Sequence, residues 1–88
     1  MKLLLSILDD RSASRVADAL VGKRYGVTRI NTVGGFLKRG NATLLVGVDD
    51  DQVDTAIGLM REAYGGRSNA DSPTGPVFVM NVEQIERM

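Results

Sequence analysis

The stretch Lys2-Leu3-Leu4-Leu5-Ser6-Ile7-Leu8 is the tightest constraint in the chain. It is a short apolar run that stops at Asp9-Asp10, the length and composition of a strand buried on both faces. Such a strand needs cover on two sides, and a chain of 88 residues has little material to supply it. A domain of this size buries only about 60–65% of the surface its unfolded chain exposes, so oligomerisation is a natural source of further burial. The same run resembles the apolar core of a secretory leader. It is shorter than such a core, however, it ends on two acids, and no small-residue cleavage site follows, which favours a cytoplasmic protein.

The rest of the chain alternates between two periodicities. From Ser12 to Arg24 the apolar positions Ala13, Val16, Ala17, Leu20 and Val21 recur at three- and four-residue steps, predicting an amphipathic helix capped by Asp10 or Ser12 and closed near Gly22 to Gly26. Val27 to Val33 is rich in β-branched residues and predicts a strand. Ala42 to Val48 predicts another, with Leu44, Val46 and Val48 on one face and Thr43, Leu45 and Gly47 on the other. These two runs are expected to form a hairpin. A second helical stripe follows in Val53, Ala56, Ile57, Met60 and Tyr64. The acids at 49, 50, 51 and 54 sit where they would cap it and suit the positive end of its dipole, and Gly65-Gly66 ends it. Residues 65–76 read as a loop, Val77 to Val82 as a last strand, and EQIERM as a tail with room for one helical turn.

The order is β-α-β-β-α-β, the ferredoxin-like pattern: an α+β fold in which a four-stranded antiparallel sheet carries two helices on one face, here as one domain over residues 1–88. The other sheet face then needs an account. Strands one, three and four read as apolar on both sides: Leu3 and Leu5 against Leu4 and Ile7, Leu44 against Leu45, and Val77 and Val79 against Phe78 and Met80. A bare apolar face of that extent is unusual in a soluble monomer. A closed ring of identical subunits, packed through their sheets, would cover it.

Composition removes several functions. Eleven basic residues balance eleven acidic ones, so no broad phosphate-tracking surface for nucleic acid is expected. Cysteine and histidine are both absent, which excludes thiolate chemistry and removes the commonest general base and soft-metal ligand. No serine lies in a nucleophile setting, so a binding module outranks an enzyme, with no catalytic residue, metal or cofactor expected. The Asp run at 49–54 lacks the ligand spacing of a calcium loop. Gly35 and Gly40 have P-loop spacing without the Lys-Ser/Thr pair or the following helix.

What remains is TVGGFLKRGNATLLVGV, residues 32–48, where a rare aromatic sits beside glycines. Only four residues of the chain are aromatic, so Phe36 asks for a role beyond turning the chain. Phe36 and Leu37 are read as inserting either into a neighbouring subunit or against a ligand, and these residues alone leave both open. A ring flanked by glycines suits stacking on a flat base approached by the backbone. Lys38-Arg39 is equally compatible with a solvated loop tip.

This central segment, together with MKLLLSILDD and ADALV before it and VFVMNVE after it, resembles the PII-like cyclic-di-AMP receptor family of small trimeric signalling proteins. The resemblance extends over nearly the whole chain through the pattern GGFLxxGNxTLLxGVxDxxVD. It implies a homotrimer that binds cyclic di-AMP or a related adenine nucleotide in clefts between subunits without turning it over, and that signals to a protein target not identifiable from sequence. Neither nucleic acid nor a membrane is implied as a partner. The contacts implied are Thr28, Gly35, Phe36, Leu37, Asn41, Gly47 and Phe78, with Phe36 and Phe78 flanking an adenine, Thr28 and Asn41 hydrogen bonding, and Gly47 leaving room for the base. Typical binders of the family carry an arginine where this chain has Gly26, with Arg24 and Arg29 nearby as substitutes, and a longer loop than residues 65–76. These departures define the alternative: a PII-like trimeric interaction protein that has lost dinucleotide binding and senses another small anion or only a protein partner.

Overall fold

A computed structural model describes residues 1–31, 40–65 and 75–86. Its elements are β1 (Lys2–Asp9), α1 (Asp10–Gly22), β2 (Gly26–Asn31), β3 (Asn41–Val48), a short 3-10 turn (Asp50–Gln52), α2 (Val53–Tyr64) and β4 (Val77–Asn81). The four strands form one antiparallel sheet in the order β2-β3-β1-β4. The expected β-α-β-β-α-β arrangement is therefore present, and β2 and β3 pair as the hairpin predicted from their β-branched runs. The tail over residues 82–86 takes no regular structure, so the helical turn allowed for it does not form there.

Strand register explains the two faces. Leu4, Ser6 and Leu8 of β1 and Ala42, Leu44, Val46 and Val48 of β3 are all buried. They meet Ala13, Val16 and Leu20 of α1 and Ala56 and Met60 of α2 in one core. Ser6 is accommodated in this apolar layer because its hydroxyl donates to the Pro76 carbonyl at 2.8 Å, sparing the penalty of an unpaired buried polar group. The alternate positions Leu3, Leu5, Ile7 and Leu45 lie on the opposite face, half-buried. Ile7 thus belongs with Leu3 and Leu5, not with Leu4 as the sequence reading placed it. It sits opposite Thr43 of β3 in the register, and the two-residue period of a strand keeps it on that side.

The helix ends differ from expectation in one-residue details. Neither Asp10 nor Ser12 caps α1. Asp9 does, its carboxylate accepting from the Ser12 backbone N–H at 3.1 Å. The Ser12 hydrogen bonds hold the Asp9 carboxyl below its ordinary pKa, as expected for an acceptor at a helix N-terminus. At α2, the acids near the start lie at the positive end of the helix dipole, but neither Asp49 nor Gln52 makes a side-chain capping bond, so their contribution is electrostatic. Gly65, at φ 87°, closes α2 in the left-handed conformation, as anticipated.

Candidate functional site

The face away from the helices is where the predicted contact residues converge. Thr28 of β2 stands opposite Leu45 of β3, Leu45 opposite Leu5 of β1, and Leu5 opposite Phe78 of β4. Paired residues in antiparallel strands point to the same side, so Thr28, Leu45, Leu5 and Phe78 form one row across the sheet. A second row on that face runs Gly26, Gly47, Leu3 and Met80. Asn41, six residues before Gly47 on β3, has the same parity. Thr28, Asn41, Gly47 and Phe78 therefore share one open face. Gly35, Phe36 and Leu37 lie outside the described residues.

Sharing a face does not bring these residues together within one chain. Thr28 and Phe78 are on the two edge strands, three interstrand steps apart, or about 14 Å. Asn41 and Gly47 are separated by about 20 Å along β3. A single adenine cannot span either gap. The face is also strongly apolar at its edges: Phe78 is 51% exposed, Ile30 49% and Met80 38%.

The described residues border two sizeable cavities. One, of about 310 Å³, lies on the helix side between Ser6, Val16, Ile57, Met60 and Tyr64, and none of the predicted contact residues among those described lines it. The other, of about 300 Å³, opens beside Gly26 and Gly47, with Lys23, Arg24 and Tyr25 along its wall. Tyr25 is held there by its hydroxyl, which donates to Gln52 Oε1 at 3.1 Å. A Cβ at Gly26 would meet nothing within 4 Å, and one at Gly47 would come within 2.7 Å of the Met1 Cε only. The sheet surface is therefore notched at Gly26, while the space over Gly47 is taken by the Met1 side chain, which also lines the cavity.

The two arginines near Gly26 have different surroundings. Arg29 lies on the helix side of β2, donating to Asn31 Oδ1 at 2.9 Å, Ser14 Oγ at 2.8 Å and Asp10 Oδ1 at 3.3 Å. Arg24 borders the cavity and has a positive φ of 68°, the one such non-glycine residue among those described. No group of three or more Asp or Glu side chains among the described residues is placed to hold a metal ion. Nor is any described helix long and apolar enough to cross a membrane.

The molecule is thus an antiparallel α+β domain with helices on one side of the sheet and an apolar face, notched at Gly26, on the other. The model of the cyclic-di-AMP receptor family matches residues 1–88, the full length given, and the chain belongs to that family. Among solved structures, it is similar to the crystal structure of a functionally unknown protein from Pediococcus pentosaceus ATCC 25745. The match has a TM-score of 0.74 and 25% sequence identity, over 99% of this chain and 96% of that one.

Proposed function

We propose that the protein is a non-enzymatic signalling receptor, a homotrimer in the cytoplasm that binds cyclic di-AMP or a related adenine nucleotide in clefts between subunits and relays occupancy to a protein target. Membership of the cyclic-di-AMP receptor family supports the ligand class. The observation that carries the intersubunit placement is the row Thr28-Leu45-Leu5-Phe78, which sets two contact residues at opposite edges of one apolar face. Packing that face against copies of itself would bury Phe78, Met80 and Ile30 and bring the edge of one subunit beside the opposite edge of the next. Phe36 then stacks on the adenine from the segment between β2 and β3, with Phe78 on its other side. The ligand acts by its differential affinity for one arrangement of the loops around the cleft, shifting the population toward it.

Gly26 favours a second reading, a trimeric interaction protein without dinucleotide binding, because it replaces the arginine of typical binders. Calorimetric titration with cyclic di-AMP, cyclic di-GMP, ATP and AMP separates the two. The receptor reading expects saturable binding of cyclic di-AMP in preference to cyclic di-GMP. No binding of any of the four at high micromolar ligand would sink the nucleotide-receptor reading.

A further inference from the structure

We propose that Lys23 and Arg24 form the phosphate-holding wall of the ligand site, at the notch where Gly26 faces Gly47; the assignment rests on the reading of the protein as a nucleotide receptor. The notch lies on the open face, one row from Thr28, and continues into the cavity of about 300 Å³ that both cations line. That volume is at the lower end of the range for small-molecule sites. Among the described residues Lys23, Arg24, Met1 and the acid Asp49 border it; the Met1 ammonium is paired with Asp50 at 2.9 Å, whereas neither Lys23 nor Arg24 makes an ion pair with a described residue. A guanidinium next to an ammonium is the donor set that suits a phosphodiester: a planar fork beside a mobile point charge.

The backbone supports the same assignment. After α1 the Tyr25 N–H bonds to the Leu20 carbonyl and the Arg24 N–H to the Val21 carbonyl, the paired bonds of a Schellman closure. The left-handed position of that closure is the one glycine ordinarily fills. Here glycines stand at 22 and 26, on either side, and Arg24 occupies the strained position itself. A side chain kept where its backbone is disfavoured points to a role for the side chain. Arg29 has no such freedom, because Asp10, Ser14 and Asn31 hold it on the helix side of the sheet.

The test compares the wild type with Lys23→Gln, Arg24→Gln, Arg24→Gly and Arg29→Gln. Cyclic di-AMP binding is measured by calorimetry, and backbone amide shifts by NMR during titration with inorganic pyrophosphate to millimolar concentration. Arg24→Gln and Arg24→Gly are expected to weaken cyclic di-AMP about tenfold or more and to flatten its salt dependence, while Arg29→Gln binds as the wild type. Arg24→Gly should melt no lower than the wild type, so its loss of binding is not a loss of fold. Pyrophosphate should move the amides of residues 23–26 in the wild type and leave them still in Lys23→Gln and Arg24→Gln. Full affinity in both Arg24 variants, or unmoved amides in the wild type, overturns the assignment. A wild type that ignores cyclic di-AMP while pyrophosphate moves those amides instead rejects the receptor reading and leaves the phosphate wall standing.

Discussion

Gly26 and Gly47 face each other across β2 and β3 with different amounts of room, and that difference makes them separable by substitution. Open space surrounds the missing Cβ of Gly26, so a side chain can start there, and Gly26→Arg, which supplies the cation expected at this position from the family likeness, should tighten cyclic di-AMP binding about tenfold, as a charge-assisted hydrogen bond would. At Gly47 an added methyl meets only the flexible end of Met1. Gly47→Ala should therefore leave stability within about 1 kcal/mol of the wild type, yet displace the Met1 side chain beside the Gly26 notch and weaken the ligand; calorimetry and thermal melts on the two variants check both statements. Asp9 is the corresponding residue for stability. Its carboxyl is held below the ordinary pKa by the Ser12 hydrogen bonds, so its contribution is complete above the unfolded value, about 3.9, and is lost as pH falls through the lower folded value. Asp9→Ala is expected to cost about 1 kcal/mol at neutral pH, with the gap from wild type closing in acid; melting temperatures across a pH series give the comparison.

At the scale of elements, the helices and the hairpin were legible because their periods are unambiguous. Val16, Leu20, Ala56 and Met60 are buried where a 3.6-residue repeat places them, and Leu44, Val46 and Val48 share a face where a two-residue repeat does. β1 was harder to read. Every position from Leu3 to Leu8 except Ser6 is apolar, so hydrophobicity carried no alternation by which to place Ile7. The cap of α1 was missed by one residue because Asp9, Asp10 and Ser12 are all competent acceptors. The choice is made by β1 ending at Asp9, opposite Asn41. Arg24 offered no local signal for a left-handed backbone, since two glycines flank it and either was the more obvious candidate. Within α2, Gly58 is exposed with open space around its missing Cβ. Gly58→Ala should raise unfolding stability by about 0.5–1 kcal/mol, measured by denaturant titration, because it lowers only the backbone entropy of the unfolded chain.

At the scale of the whole molecule, the contact residues expected from the family likeness fit one site only if more than one copy contributes. Sequence likeness named Thr28 and Phe78 for one site, and the sheet holds them about 14 Å apart on opposite edges. No residue motif shows that separation by itself; it follows from the strand order, with β2 and β4 at the two edges, that the ferredoxin-like pattern carries. The same order leaves Phe78, Met80 and Ile30 exposed on the face that the helices do not cover. An intersubunit cleft accounts for both facts at once: the apolar face is buried, and opposite edges of neighbouring subunits meet around one ligand. Native mass spectrometry in the presence of cyclic di-AMP tests this most directly. The account predicts a trimer carrying up to one nucleotide per subunit, with assembly and occupancy both preserved at low micromolar protein. A monomer that binds the nucleotide stoichiometrically would contradict it.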